Sequence, residues 1–119
     1  VTGEGGSTTT NLQQGLAKMW CNFNGQTGAS NDTLNVASMT DNGTGNHTIN
    51  ISNDFSNALY SATTTGSEGN TNDNVVILAT SASGFAAGSI TVFIFAEDSG
   101  IFDPSSNEPM CATIHGDLA

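Results

Sequence analysis

Apolar residues fall along the chain in short blocks, several with a period of two, as in strands that turn one face inward. Asn46 to Ser52 shows this most plainly. His47, Ile49 and Ile51 share one side, and Asn46, Thr48, Asn50 and Ser52 share the other, which predicts a half-buried antiparallel strand. Leu16 to Asn24 predicts an earlier strand, with Ala17, Met19, Cys21 and Phe23 on one side and Leu16, Lys18, Trp20 and Asn22 on the other. Both sides are partly apolar, so this strand is expected either to be central or to meet another chain through its second face. Thr33 to Met39 predicts a strand with Leu34 and Val36 inward, and Asp41-Asn42-Gly43-Thr44-Gly45 after it is a strong hairpin signal. Further strands are predicted at Ala58–Thr65, Val75–Leu78, Ser89–Ala96 and Met110–Leu118. Helical spacing does not persist outside Phe85–Phe95, where β-branched residues dominate. About seven strands joined by turns predict an all-β fold, an antiparallel β-sandwich or jelly roll. Val1–Gln14, Gly- and Thr-rich, reads as an extended arm before a single domain at Gly15–Ala119.

Composition narrows the function. Gly, Ser, Thr and Asn make up 57 of 119 residues, 36% are hydrophobic, and the formal net charge is −10. The only cation besides two histidines is Lys18, and there is no Arg. Nucleic-acid binding and attraction to anionic membranes both need clustered Lys and Arg, so neither is expected. Phosphate-handling enzymes lose their usual clamps. No apolar run approaches the roughly 20 residues that span a bilayer, so no membrane insertion is expected. A polar, acidic chain can also be disordered, but aromatic and β-branched residues gathered in blocks are what a packed sheet requires.

Catalytic and metal chemistry finds little support. Neither Cys-x-x-Cys nor a Cys/His set at zinc spacing is present. His47 and His115 would bind a metal only if the fold brought them together; lone hydrogen-bonded histidines are the alternative. The Asp41–Asn46 turn and the Gly69–Asn74 loop are rich in oxygen ligands but lack the EF-hand spacing, and turn chemistry accounts for both. Glu97 and Asp98 are adjacent, so on a strand they point to opposite faces and cannot flank one glycosidic bond. A Gly-x-Ser-x-Gly elbow is absent. No catalytic residue, metal or cofactor is expected. Asn31, Asn42, Asn46 and Asn50 each begin an N-glycosylation pattern, which this composition produces readily.

The segment Gly15-Leu16-Ala17-Lys18-Met19-Trp20-Cys21-Asn22-Phe23-Asn24-Gly25 is similar to one common in tail-fibre-like proteins of tailed bacteriophages, especially aquatic ones, where a strand reading K-x-W-x-N-F-N-G opens the domain. Leu34 to Gly45 resembles that family's strand and turn ending in TDNGTG; Asn57-Ala58-Leu59-Tyr60 and Gly116-Asp117-Leu118-Ala119 extend the likeness. The resemblance covers the first half well and the end briefly, while Asn70 to Glu108 carries little of it. It implies a virion surface domain, made in the bacterial cytoplasm, commonly homotrimeric, and in contact with other virion proteins. Such fibres usually carry an attachment region and a shaft, for which this chain has no room.

Host attachment by a non-enzymatic fibre or knob domain is therefore the leading expectation, with a host-surface glycan or protein as partner. A capsid-decoration or stabilising protein that clamps through its N-terminal arm is the alternative. Candidate receptor contacts are Phe102, in the polar Ser99–Pro109 loop, Tyr60 at a strand turn, and Asn70, Asn72 and Asp73 in the Gly66–Asn74 loop. A ring folded back on the core is the other reading of Phe102. Leu16 and Trp20, on the second face of the first strand, are the candidate subunit-interface residues. Cys21 and Cys111 are a possible disulfide if their strands are neighbours. Folding in a reducing cytoplasm favours two small buried hydrophobes instead.

Overall fold

The computed structural model describes residues 15–67, 75–79, 82–96, 100–104 and 108–119, with 75–79 and 82 as backbone alone. The fold is an all-β sandwich. Its strands are β1 (Met19–Asn24), β2 (Ser30–Leu34), β3 (Val36–Gly43), β4 (Asn46–Ile51), β5 (Ser61–Gly66), β6 (Val75–Ala79), β7 (Phe85–Ala86), β8 (Ser89–Ala96), β9 (Gly100–Ile101) and β10 (Pro109–His115). A four-stranded antiparallel sheet runs β2-β1-β10-β5, and the second runs β3-β4-β8-β6, with the short β7 and β9 also paired to β8.

Alternation builds the core. On the first sheet Met19, Cys21 and Phe23 of β1 stand opposite Ile114, Ala112 and Met110 of β10, and all six point inward. On the second sheet His47, Ile49 and Ile51 of β4 face inward beside Ile90, Val92 and Ile94 of β8. Each fully buried Ile, Met or Phe contributes about 1.5–3 kcal/mol by leaving water, and among the described residues nearly all of the buried apolar side chains lie on these four strands.

Among the described residues one buried side chain is polar. The His47 ring has no exposed surface; its Nε2 lies 2.9 Å from the Gly25 carbonyl oxygen and its edge meets Phe23 at a centroid distance of 5.6 Å. The hydrogen bond ties β4 to the turn that leaves β1, across the two sheets. Gly28, at φ +68°, lies against the ring: a Cβ there would sit 2.9 Å from Nδ1.

The predicted strand Thr33–Met39 is two strands in different sheets. Asn35, at φ +58°, stands in the left-handed region that its short polar side chain tolerates. Its Nδ2 donates to the carbonyls of Lys18 and Asn53, each at 3.1 Å, and its Oδ1 accepts from the Asn53 backbone N–H at 2.8 Å. This residue turns the chain from β2 into β3, and the period-two pattern carries no sign of it.

Other boundaries shift as well. The strands predicted to begin at Leu16 and Ala58 begin at Met19 and Ser61, and the one predicted to reach Leu118 ends at His115. The hairpin at Gly43–Asn46 forms as predicted, with Thr44 and Gly45 between β3 and β4. The arm Val1–Gln14 and the pair Glu97-Asp98 lie outside the described residues.

Asn35→Ala removes the corner's hydrogen bonds and places Cβ strain at a positive φ, and is expected to cost about 2–3 kcal/mol in urea denaturation. Asn35→Gly relieves the strain alone and is expected to recover about 1 kcal/mol of that loss. Equal stability of the two variants would show that φ at this corner carries no energy.

Candidate functional site

With the inner faces filled, the outer face of β3, β4 and β8 presents its side chains in regular rows. Register aligns it in rows: Ser38, Asn50 and Ser89; then Thr40, Thr48 and Thr91; then Asn46 beside Phe93, with Asn42 at the β3 bulge. The side chains bond to one another. Asn50 Nδ2 donates to Ser38 Oγ at 3.1 Å and Thr40 Oγ1 at 3.0 Å. Asn42 Nδ2 donates to Thr48 Oγ1 at 2.8 Å and Asn46 Oδ1 at 3.3 Å, and the Thr48 and Thr91 hydroxyls are 3.0 Å apart.

These positions are half-buried or exposed, and none carries a charge. The face ends in an apolar step. Phe93 and Phe95 pack edge to face at 6.1 Å, half-buried, and Ile101, paired with Phe95, is 43% exposed. Such a surface can hydrogen-bond a neutral polar partner and cover its apolar parts with an aromatic edge.

The outer face of the first sheet is different. Trp20, half-buried, sits between Leu34 (45% exposed) and Thr113, and the next row mixes Asp32, Asn22, Cys111 and Thr65. Leu16, the other predicted interface residue, is 52% exposed just before β1. Leu16, Leu34, Leu59 and Leu118 all lie toward one end of the sandwich, where β1 and β5 begin and β2 and β10 finish.

At that same end Ala58, Leu59, Tyr60 and Phe85 line an open groove of about 390 Å³. Leu59 is 91% exposed beside it. The Tyr60 ring is wedged between Phe55 at 4.8 Å and Phe85 at 5.4 Å. Its hydroxyl lies 3.1 Å from both the Ala86 and Ser89 carbonyls, and burial pushes its phenol pKa up, so it remains a donor.

The predicted receptor contacts do not gather at one place. Phe102 is half-buried against the core, with its backbone N–H donating to the Ile94 carbonyl at 3.2 Å. A Cβ at Gly45, where φ is +59°, would lie 2.5 Å from the Phe102 carbonyl, so only Gly lets the β3–β4 hairpin close against this segment. Tyr60 lies at the opposite end of the sandwich. Asn70, Asn72 and Asp73 fall outside the described residues.

The disulfide is corrected. β1 and β10 are neighbours, as a bridge would need, but Cys21 stands opposite Ala112 and Cys111 opposite Asn22. That one-residue offset sends the thiols to opposite faces, and both are free. Cys21 is buried, and burial pushes its thiol up to about 11; Cys111 Sγ accepts a hydrogen bond from Asn22 Nδ2 at 3.4 Å.

The two histidines also stay apart, His47 inside the second sheet and His115 on the outer side of the first. Among the described residues no three His, Cys, Asp or Glu side chains come together as a metal site. Asp41 instead bonds within its turn, accepting from the Gly43 N–H at 2.9 Å. Comparison with family models, curated proteins and solved structures finds no match to this chain.

Native protein treated with iodoacetamide at pH 8 is expected to be alkylated at Cys111 and not at Cys21, and at both after unfolding, as read by peptide mass spectrometry. A Cys21–Cys111 linked peptide under non-reducing conditions would contradict the register.

Proposed function

We propose that this chain is an exposed, non-enzymatic β-sandwich domain of a bacteriophage virion that contributes to attachment at the host surface. The observation that carries the reading is the uncharged, mutually hydrogen-bonded face of β3, β4 and β8 on a protein of net charge −10. A strongly acidic protein resists non-specific association with other acidic surfaces, and a neutral polar face gives it a place to bind without ion pairs. The likeness of Gly15–Gly25 and Leu34–Gly45 to tail-fibre-like phage proteins supports the same reading.

Gold-labelled antibody against the chain, imaged on intact virions that carry it, tests the location. Label on tail appendages or protruding fibres is the expected result. Label spread over the capsid would replace attachment with decoration. The end bearing Leu16, Leu34, Leu59 and Leu118 favours that second reading, because exposed leucines gathered at one end suit a seat on a larger particle.

The domain assembles as a homotrimer in this reading, with the Trp20 and Leu34 side of the first sheet between copies. Trp20→Ser combined with Leu34→Ser is expected to convert a trimer to a monomer in light scattering, with the thermal transition of the monomer retained. A monomeric parent chain at micromolar concentration would remove the trimer from the proposal.

A further inference from the structure

We propose that the outer face of β3, β4 and β8 binds an uncharged, polyhydroxylated ligand, a neutral oligosaccharide, along its Ser/Thr/Asn rows with Phe93 and Phe95 at one end. The inference rests on the attachment reading and names the chemistry that this face would take.

The bonding pattern carries it. Asn50 uses both Nδ2 protons on Ser38 and Thr40, and Asn42 uses both on Thr48 and Asn46. What remains for a partner is mixed: the Oδ1 acceptors of Asn42 and Asn50, the hydroxyl protons of Ser38 and Thr40, and the Asn46 amide protons. A phosphate or carboxylate offers only acceptors and would leave the amide oxygens facing its own. An ammonium group offers only donors and would waste the hydroxyl protons. A sugar hydroxyl both donates and accepts, as this surface does.

Spacing and order agree with this chemistry. Outward side chains stand about 4.8 Å apart across neighbouring strands and about 6.8 Å apart along one, comparable to the advance per ring of an extended pyranose chain. The amides are already held by their neighbours, so a ligand would not have to freeze them, and that lowers the entropic cost of binding. The C–H face of a sugar ring needs an apolar surface beside the polar one, and Phe93, Phe95 and Ile101 supply it on the same side of the sheet. Charge then selects among glycans. The chain has no Arg and one Lys against 11 acidic residues, so uronic-acid and phosphorylated glycans meet repulsion with nothing on this face to offset it.

A ladder that served only the sheet would be expected on both outer faces. The first sheet pairs Thr113 with Thr63, but the rest of that row is Leu34 and Trp20, and the next row holds Asp32, Asn22, Cys111 and Thr65, so no row there is hydroxyl and amide throughout.

The test is a nitrogen-15 NMR titration of the full chain with maltohexaose, cellohexaose, mannohexaose and xylohexaose, and with hexaguluronate as the acidic comparison. At least one neutral hexasaccharide is expected to shift resonances in Ser38–Asn42, Asn46–Asn50 and Ser89–Phe95, with hexaguluronate at least tenfold weaker. Thr48→Val with Asn50→Thr keeps strand-forming side chains and is expected to weaken that binding about tenfold, the loss of roughly two neutral hydrogen bonds. Thr63→Val, on the first sheet, is expected to leave it unchanged. Should the double variant not fold, Ser38→Ala with Asn42→Ala on the exposed β3 edge serves in its place, with the same expected loss.

No shift from any neutral hexasaccharide at about 10 mM, a weak-binding limit, would overturn the inference. So would shifts confined to other surfaces, equal binding of hexaguluronate, or undiminished binding in the folded variants. Fibre-associated gold label without sugar binding removes this inference and leaves attachment standing. Sugar binding by a chain absent from virions does the reverse.

Discussion

Everything else in the molecule depends on the burial of alternate side chains from β1, β10, β4 and β8 between two sheets. A period of two leaves no freedom: once Met19, Cys21 and Phe23 point inward, Trp20 and Asn22 must point out. Slipping one strand by a residue would expose an isoleucine row and bury a row of amides and hydroxyls, at several kcal/mol for each unsatisfied group. The polar outer rows are thus fixed by the core behind them. His47 is the exception that proves costly to misplace. It occupies an inward position, and its Nε2 meets the Gly25 carbonyl instead of water.

The strands were legible where this alternation is uninterrupted. Asn46–Ile51 and Ser89–Ala96 fall where the pattern puts them, because one face of each is wholly buried and the other is not. The pattern failed at Asn35, where a single left-handed residue changes sheets without changing the run of apolar and polar positions. It also overextended β1, β5 and β10, whose apolar flanks at Leu16, Leu59 and Leu118 stay in solvent. Two-residue strands such as β7 and β9 are too short to show any period.

The candidate site was half legible for a related reason. That Asn46, Thr48 and Asn50 point to solvent follows from one strand alone. That they align with Ser38 and Thr40 on one side and Ser89 and Thr91 on the other depends on register between segments far apart in the chain. Aromatic content drew attention to Phe102 and Tyr60 instead, but both rings pack against the core, where an aromatic contributes most. Likewise Cys21 and Cys111 sit on neighbouring strands, and only the register shows that their side chains diverge.

Register therefore carries the functional argument as well as the structural one. Scattered Ser, Thr and Asn side chains would each be solvated separately and present no common pattern. Aligned across three strands, they satisfy part of one another's bonding capacity and leave a fixed remainder of donors and acceptors. The inner face of the second sheet specifies that alignment through Ile49 opposite Ile90, and Met39 opposite Ile49. A change in core packing at those positions would shift the outer rows by the same offset, so the surface chemistry of this domain is held by residues that never touch a ligand.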